Sequence, residues 1–239
     1  MLDSTNCEAK RLSAIGQSEI WLLALKQTNG RGRREKKWLS GDKDFTASLL
    51  TYPIINEEHF SLISYVAGIA LYDAVVKIGV SKNDLTLKWP NDLLLNRKKI
   101  GGILLERAYT TLDKKKPLVV GFGLNLVSFP TQNELDKDAL PAESLKNSGF
   151  SISEPSVFLR ILMRSYSKWN DIFNFGGFSG LREAYLERSF SIGQKIKVKT
   201  INNASYGSFS GITNNGSLML QTPNGTEFIT AGDVLLIGN

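Results

Sequence analysis

The sequence of 239 residues contains one cysteine, Cys7, and one histidine, His59. A single cysteine excludes an intrachain disulfide framework. The two residues together are too few for a structural zinc site, which needs several thiolate or imidazole ligands. We therefore assign no chemistry to either residue.

Long apolar segments and targeting signals are also lacking. No uninterrupted apolar run approaches the roughly 20 residues that cross a bilayer. The N-terminus has no basic region followed by an apolar stretch, so no signal peptide is expected. The chain shows no internal repeat, which excludes a solenoid. These absences predict a protein of the reducing cytoplasm without a membrane partner.

The composition is that of a globular protein, with 42% hydrophobic and 22% charged residues. The length fits one domain with a small appendage, or two unequal domains. The net charge of +6 favours an anionic partner, which could be a nucleic acid, a membrane surface or a small ligand. Residues 30–38 contribute +4 of this charge. A charge so localised argues against a broad nucleic-acid surface.

Apolar patterning predicts an α+β fold. Strand-like runs occur at 19–27, 45–52, 85–89, 93–95, 100–105 and 118–127. Helical spacing occurs at 59–80, 155–173 and 181–188. After residue 189 come five short strand-like runs separated by Asn- and Gly-containing turns, which are typical of tight hairpins. We predict a mixed-sheet domain over residues 1–189 and a small β-barrel over residues 190–239.

The strongest chemical signal is the segment Gly30–Trp38, which holds five basic residues and one acid. Its glycines allow the backbone to approach a ligand closely, and its arginines offer paired donors to phosphate or carboxylate oxygens. Trp38 offers a flat face for a base. The spacing is not that of a P-loop. The alternative interpretation is a solvated basic loop.

Three further motifs each have a structural alternative. Lys88–Asp92 and Lys99–Leu104 place lysines and glycines on a predicted hairpin, where the lysines could be ordinary exposed residues. Gly121–Asn125 lacks the third glycine of a dinucleotide fingerprint, so it could be a glycine-containing core strand. Ser4–Asn6 could be the N-cap of a helix at 7–12.

Taken in this order, these segments resemble the biotin protein ligases. That family carries Ser-Thr-Asn, a Gln followed by GRGRR and a Trp, then KWPND, K-x-(G/A)-G-I-L and G-x-G-x-N. The matching positions are Ser4–Asn6, Gln27, Gly30–Arg34 with Trp38, Lys88–Asp92, Lys99–Leu104 and Gly121–Asn125. The resemblance implies a catalytic domain of the biotinyl/lipoyl protein ligase type, similar to class II aminoacyl-tRNA synthetases. It also implies an SH3-like C-terminal barrel.

The implied reaction has two steps. Biotin and ATP, with Mg²⁺, give biotinyl-5′-AMP and pyrophosphate. A lysine ε-amine of a biotin carboxyl carrier protein, from acetyl-CoA carboxylase or a related carboxylase, then attacks the mixed anhydride and releases AMP.

The resemblance also implies a role for individual residues. Lys99, Arg33 and Asp92 are the expected catalytic residues, with Asp92 either accepting the proton of the incoming lysine or orienting Lys99. The expected biotin contacts are Ser4, Thr5, Asn6, Gln27, Gly30, Arg31, Gly32, Arg33, Lys99, Gly101 and Gly102. The expected contacts to ATP or the adenylate are Arg31, Arg33, Trp38, Asn91, Lys99 and Asn125. No metal ligands are assigned.

The sequence departs from the family pattern in two places. Glu35 stands where the family often has glycine after Arg34, which adds an acid and a Cβ to the loop. Only three residues precede Ser4, where the family usually has a strand. Nothing before Ser4 could form a helix-turn-helix, so no DNA partner is expected.

Two alternative functions remain open. A lipoate ligase shares the fold and the adenylate chemistry, although its arginine–glycine pattern differs from Gly30–Arg34. A nucleic-acid-binding module would use the basic loop and the β tail. The tail, however, has few aromatic residues for stacking bases.

Overall fold

The computed structural model describes residues 1–136, 139–150, 154–201 and 203–237. Its helices are α1 Thr5–Ala14, α2 Ile63–Lys77, α3 Pro155–Gly176 and α4 Phe178–Arg188. Strands of the larger sheet are β1 Ile20–Ala24, β2 Phe45–Thr51, β3 Leu85–Lys88, β4 Asp92–Leu95, β5 Lys98–Arg107 and β6 Leu118–Leu124. Strands of the smaller sheet are β7 Lys195–Lys199, β8 Ala204–Ile212, β9 Leu218–Thr222, β10 Gly225–Ile229 and β11 Asp233–Leu236. Short 3₁₀ helices cover Arg33–Glu35, Glu57–Leu62 and Gln132–Glu134.

The larger sheet has the strand order β1-β2-β6-β5-β4-β3, and its neighbouring strands are antiparallel. Parallel pairing within the described residues occurs as isolated bridges, for example between Leu2 and Gln27. The bridge and the hydrogen bond from Leu2 N to Lys26 O tie the residues before Ser4 to the segment after β1. The predicted α+β class is confirmed.

Side-chain alternation along the central strands gives this sheet two different faces. Leu49 and Val120 join the main core beneath α2 and α3. Leu50 and Val119 point to the opposite face and pack against Ala9 of α1. Because α1 is short and covers only part of its face, the remainder of that face is left for a cavity.

Helix α2 is almost entirely enclosed, with eleven buried residues. Together with the preceding 3₁₀ helix it forms the 21-residue segment Glu57–Lys77, in which an 18-residue window has a mean hydropathy of 1.5. By length and hydropathy this segment would pass for a membrane span, which the sequence analysis did not anticipate. However, 72% of the apolar window is buried inside the protein, as in the core helix of a folded domain.

The smaller sheet has the strand order β10-β9-β8-β7-β11, with all neighbours antiparallel. Gly216 and Gly225, with φ of 82° and 118°, supply the left-handed conformations that the two predicted hairpin turns require. The predicted all-β C-terminal region is thus confirmed. The domain boundary at 189/190 falls between α4 and β7 and stays a prediction.

Helix boundaries differ from the sequence prediction in three places. The predicted helix at 59–80 divides into a 3₁₀ turn and α2. Helices α3 and α4 are longer than predicted and nearly continuous, because Gly177 with φ of 68° is the single residue between them. Helix α1 extends over Thr5–Ala14 rather than 7–12, and Ser4 at its N-cap makes no side-chain capping hydrogen bond.

A buried polar contact joins the smaller sheet to the larger one. The Tyr65 hydroxyl on α2 donates a hydrogen bond of 2.6 Å to the carbonyl of Gly216, in the β8–β9 turn. Trp89 Nε1 lies 3.1 Å from the Tyr65 hydroxyl and 3.2 Å from the same carbonyl. Tyr65 and Trp89 are both almost fully buried, so this contact fixes where the barrel sits.

We expect Tyr65→Phe to lower the free energy of unfolding by about 1–3 kcal/mol, because it removes a buried hydrogen-bonding partner of both Gly216 and Trp89. Urea unfolding followed by circular dichroism measures the change. Tyr109→Phe is the matched control, since Tyr109 is 73% exposed. Equal stability of the two variants would show that the contact does not anchor the barrel.

Candidate active site

A cavity of about 600 Å³ lies on the α1 face of the larger sheet. The basic loop Gly30–Trp38 forms one wall, and strands β7 and β11 of the barrel contribute to another. All the predicted site residues except Gly30 and Gly101 line this cavity, although they come from segments far apart in sequence. Those that do so are Ser4, Thr5, Asn6, Gln27, Arg31, Gly32, Arg33, Trp38, Asn91, Asp92, Lys99, Gly102 and Asn125.

The two glycines that do not line the cavity have packing roles. A Cβ on Gly101 would lie 2.9 Å from Gly123 O and 3.4 Å from Leu71 of α2, so this position faces the core side of the sheet. A Cβ on Gly30 would overlap the carbonyl of Trp38. Gly30 instead closes the loop by accepting a 3.0 Å hydrogen bond from Trp38 N. Contact of either residue with biotin stays a prediction.

The glycines of strand β6 allow close approach on the cavity face. A Cβ on Gly121 would overlap the Asn6 side chain, and a Cβ on Gly123 would overlap the Trp38 ring. Both residues lie on the face that also carries Gly102, which pairs with Gly123 across β5 and β6. These positions therefore need glycine because side chains from α1 and the loop lie directly on the strand.

The expected biotin-binding residues form one hydrogen-bonded network. Gln27 Oε1 accepts from Thr5 N at 2.7 Å and from Thr5 Oγ1 at 3.2 Å. Ser48 Oγ lies 2.7 Å from Thr5 Oγ1 and 2.5 Å from Asn6 Oδ1. Asn6 Nδ2 donates to Glu106 Oε2 at 2.9 Å. These hydrogen bonds fix the orientation of each polar side chain in the network.

Sequence reasoning missed Ser48 and Glu106. Ser48 is a fully buried polar residue in the apolar strand β2. Glu106 follows Gly102 on β5 by four residues, so both point to the cavity face of the sheet. The available signal was a polar residue in a strand, at a position that alternation assigns to the cavity face. Alternation does not predict, however, that these side chains contact α1.

Asp92 is held between two lysines. Its carboxylate lies 2.6 Å from Lys99 Nζ and 2.8 Å from Lys88 Nζ. Burial alone raises the pKa of Asp92, but the charges and hydrogen bonds of the two ammonium groups outweigh burial and hold its pKa well below the usual range. Asp92 is thus a weak base that fixes the position of Lys99. This arrangement favours the orienting role over proton acceptance, and both roles stay predictions.

Carboxylates from three other segments hold the basic loop over the cavity. Arg31 lies 3.5 Å from Glu106, Arg34 lies 2.9 Å from Asp233 of β11, and Lys36 lies 2.7 Å from Asp136. Arg33 donates a 3.1 Å hydrogen bond to Asn91 Oδ1. The loop is therefore docked, in contrast to the freely solvated alternative. Burial lowers the pKa of Arg33, although guanidinium groups stay charged in proteins.

Glu35 lies at a position where glycine is favoured. Its φ is 60°, and Arg34 before it has φ of 53°, so two consecutive non-glycine residues adopt the left-handed conformation. Glutamate at position 35, where the family often has glycine, therefore raises the conformational free energy of the loop backbone.

Two buried polar atoms on the cavity lining have no partner in the described structure, Trp38 Nε1 and Asn125 Oδ1. Asn125 Nδ2 already donates to Glu143 O at 2.9 Å. Buried polar atoms are nearly always hydrogen-bonded in folded proteins. A free donor and a free acceptor are therefore available to a bound ligand.

The described residues bring together no cluster of three or more His, Cys, Asp or Glu side chains able to hold a metal ion. Asp92, a buried carboxylate that lines the cavity, is already paired with two lysines. The side chains described thus provide no resident metal site.

The amino-acid sequence is similar to known families and proteins. A family model described as "Biotin/lipoate A/B protein ligase family" matches residues 1–125, and one described as "Biotin protein ligase C terminal domain" matches residues 191–236. A biotin–[acetyl-CoA-carboxylase] ligase of Paracoccus denitrificans is 34% identical, with 99% of this chain and 98% of the relative covered. A ligase with the same description from Mycobacterium tuberculosis is 30% identical, with coverages of 97% and 85%.

Solved structures agree in fold. A biotin protein ligase from Aquifex aeolicus in complex with biotin and ATP superposes with a TM-score of 0.81. The alignment covers 100% of this chain and 96% of that protein at 24% sequence identity. This agreement confirms the expected catalytic fold and its C-terminal β domain.

We expect Asp92→Asn to lower the free energy of unfolding at pH 7 by about 3 kcal/mol, because it leaves Lys88 buried without a counter-ion. The native pKa of Asp92 lies below its unfolded value, so its stabilisation is present above about pH 4 and is lost as the pH falls further. Urea unfolding should show a smaller difference in the free energy of unfolding between wild type and Asp92→Asn at about pH 3 than at pH 7.

Asp42→Asn serves as the control, because Asp42 is an exposed residue paired with Lys26. This variant should change stability by less than about 1 kcal/mol at either pH. If the destabilisation caused by Asp92→Asn were the same at both pH values, the assigned direction of the Asp92 pKa shift would be wrong.

Proposed function

The chain belongs to the biotin/lipoate A/B protein ligase family, and from that premise we propose how its cavity catalyses ATP-dependent biotin ligation. The enzyme forms biotinyl-5′-AMP from biotin and ATP and transfers biotin to a lysine ε-amine of the carrier protein of acetyl-CoA carboxylase. The observation that carries the proposal is that Lys99 and the arginines of the basic loop meet in one cavity with the Thr5–Asn6–Gln27 network.

Adenylate formation joins two anions, the biotin carboxylate and the α-phosphate of ATP. Cationic donors must offset their repulsion and stabilise the charge that develops at phosphorus. Lys99, positioned by Asp92, and Arg33, positioned by Asn91, provide such donors within one cavity. Each charge-assisted hydrogen bond contributes about 1.5–3 kcal/mol.

We assign the ureido end of biotin to the network on α1. This head group carries both hydrogen-bond donors and an acceptor, which hydroxyl and amide side chains complement. Because Gln27 Oε1 already accepts from Thr5, its amide Nε2 is the group that Gln27 presents to a ligand. Ser48 and Glu106 hold Thr5 and Asn6 in place.

We assign the adenine to the side of the cavity formed by Trp38 and Asn125. The unpartnered Trp38 Nε1 and Asn125 Oδ1 complement the acceptors and the amino group of an adenine ring. Arg31 and Asn91 lie on the same lining, where they are available to the rest of the nucleotide. Mg²⁺ would enter as the metal complex of ATP, with phosphates and water as its ligands.

In the transfer step, the carrier lysine attacks the acyl carbon of the anhydride, an amide bond forms and AMP leaves. Because two lysines keep Asp92 a weak base, we propose that its contribution is to hold Lys99 near the departing phosphate. We also propose a cytoplasmic location, which the burial of the span-length helix inside the protein supports.

We expect the purified protein to catalyse exchange of labelled pyrophosphate into ATP only when biotin is present, because pyrophosphate can be returned only to an adenylate. Substituting lipoate for biotin is the control. Exchange with lipoate but not biotin would favour the lipoate ligase. Exchange with neither, together with salt-sensitive nucleic-acid binding, would favour the binding module.

We expect Lys99→Ala to slow biotin-dependent exchange by at least about 100-fold, which corresponds to about 3 kcal/mol of lost transition-state stabilisation. Lys98→Ala is the matched control, because the neighbouring Lys98 pairs with Glu143 and does not line the cavity. Lys98→Ala should retain activity, and both variants should fold. Unimpaired exchange by Lys99→Ala would remove Lys99 from its assigned role.

A further inference from the structure

The barrel contributes part of the cavity wall. Four of its residues, all on β7 or β11, line the same cavity as Lys99: Lys199, Asp233, Val234 and Leu235. The motifs on which the family resemblance rests all lie before residue 126, so no motif points to these positions. The cavity is thus completed by a part of the chain that the proposed mechanism does not use.

Asp233 is the barrel residue that contacts the basic loop. Its Oδ2 lies 2.9 Å from Arg34 NH1, whereas its Oδ1 lies 3.9 Å from Arg33 NH1. Arg33 NH1 is instead 3.1 Å from Asn91 Oδ1. Asp233 therefore takes Arg34 as its main partner, and Arg33 remains directed towards the catalytic strands.

The contact falls where the loop backbone is strained. Arg34 and Glu35 both have positive φ, a conformation that non-glycine residues adopt only when surrounding contacts hold them. Two further ion pairs of the loop, formed by Arg31 with Glu106 and by Lys36 with Asp136, lie on either side of this strained pair. Asp233 acts on the strained residue itself, so its loss should release the loop at its least stable point.

We propose that Asp233 is a positioning residue that holds the basic loop closed over the adenylate. The barrel thereby holds the loop mainly through the 2.9 Å ion pair Asp233–Arg34, whereas its more distant contact with Arg33 leaves that guanidinium available to the anionic ligands. The consequence for the adenylate rests on the proposed function. The consequence for the loop does not, because it depends only on the contact between Asp233 and Arg34.

The loop effect is measured by hydrogen–deuterium exchange of peptides covering residues 30–38 in the ligand-free protein. We expect Asp233→Asn and Arg34→Gln each to speed exchange of this segment about two- to fivefold, the range for a half-exposed ion pair. The double variant should exchange no faster than Asp233→Asn alone, because Asp233→Asn already removes the contact that Arg34→Gln removes. Asp233→Glu should restore most of the protection.

Two controls separate positioning from a general structural effect. Asp42→Asn removes an exposed ion pair outside the loop and should leave exchange of residues 30–38 unchanged. Peptides from β7–β10 should exchange equally in all variants. The proposal is overturned if the single effects multiply in the double variant, if the loop is unaffected, or if the barrel peptides also exchange faster.

The catalytic consequence is measured separately with the biotin-dependent exchange assay. Asp233→Asn should raise KM for ATP and the dissociation rate of biotinyl-AMP about two- to fivefold, while kcat changes less than twofold. A fall in kcat with KM unchanged would overturn the positioning role. If the unsubstituted protein shows no biotin-dependent exchange, the proposed function fails, whereas the loop measurement still decides whether Asp233 holds the loop.

Discussion

The site depends on keeping several positive charges in one small cavity before any anion is bound. Lysines and arginines so close together repel one another, and each must be either solvated or paired. Here carboxylates from separate segments pair with them: Asp92 of β4, Glu106 of β5, Asp136 of the loop after β6, and Asp233 of β11. The carboxylates balance the charge and at the same time fix where each cation lies, so the binding of anions begins from an ordered site.

The sheet provides the rigid surface on which these charges are arranged. Its α2–α3 face is packed with apolar side chains, and its opposite face is only partly covered by α1. Glycines on the uncovered face let Asn6 and Trp38 approach the strands directly. The two neighbouring glycines of β5 lie on different faces: Gly102 lines the cavity, whereas Gly101 packs towards α2.

The smaller sheet contacts the rest of the protein in two places, at the β8–β9 turn and at the basic loop. Tyr65 and Trp89 hold the β8–β9 turn through the carbonyl of Gly216. Trp89 lies immediately before Pro90 in the motif that also contains Asp92. The barrel is thus anchored next to the catalytic strands, and β11 reaches the basic loop as a consequence of that anchoring. A small β domain with no catalytic motif of its own becomes part of the cavity.

By itself, the sequence determined the α+β class, most strands and helices, and the family, because these follow from local periodicity and from motifs read along the chain. It also predicted site residues that, apart from Gly30 and Gly101, all line the cavity. Only the tertiary structure decided which partners they have: Asp92 between Lys88 and Lys99, Ser48 and Glu106 behind Thr5 and Asn6, and Asp233 against Arg34. The reason is that these contacts join residues as many as 199 positions apart, and local patterns carry no information on such distances. The same limit applies to Glu35, whose cost became visible only once the left-handed backbone of the docked loop was known.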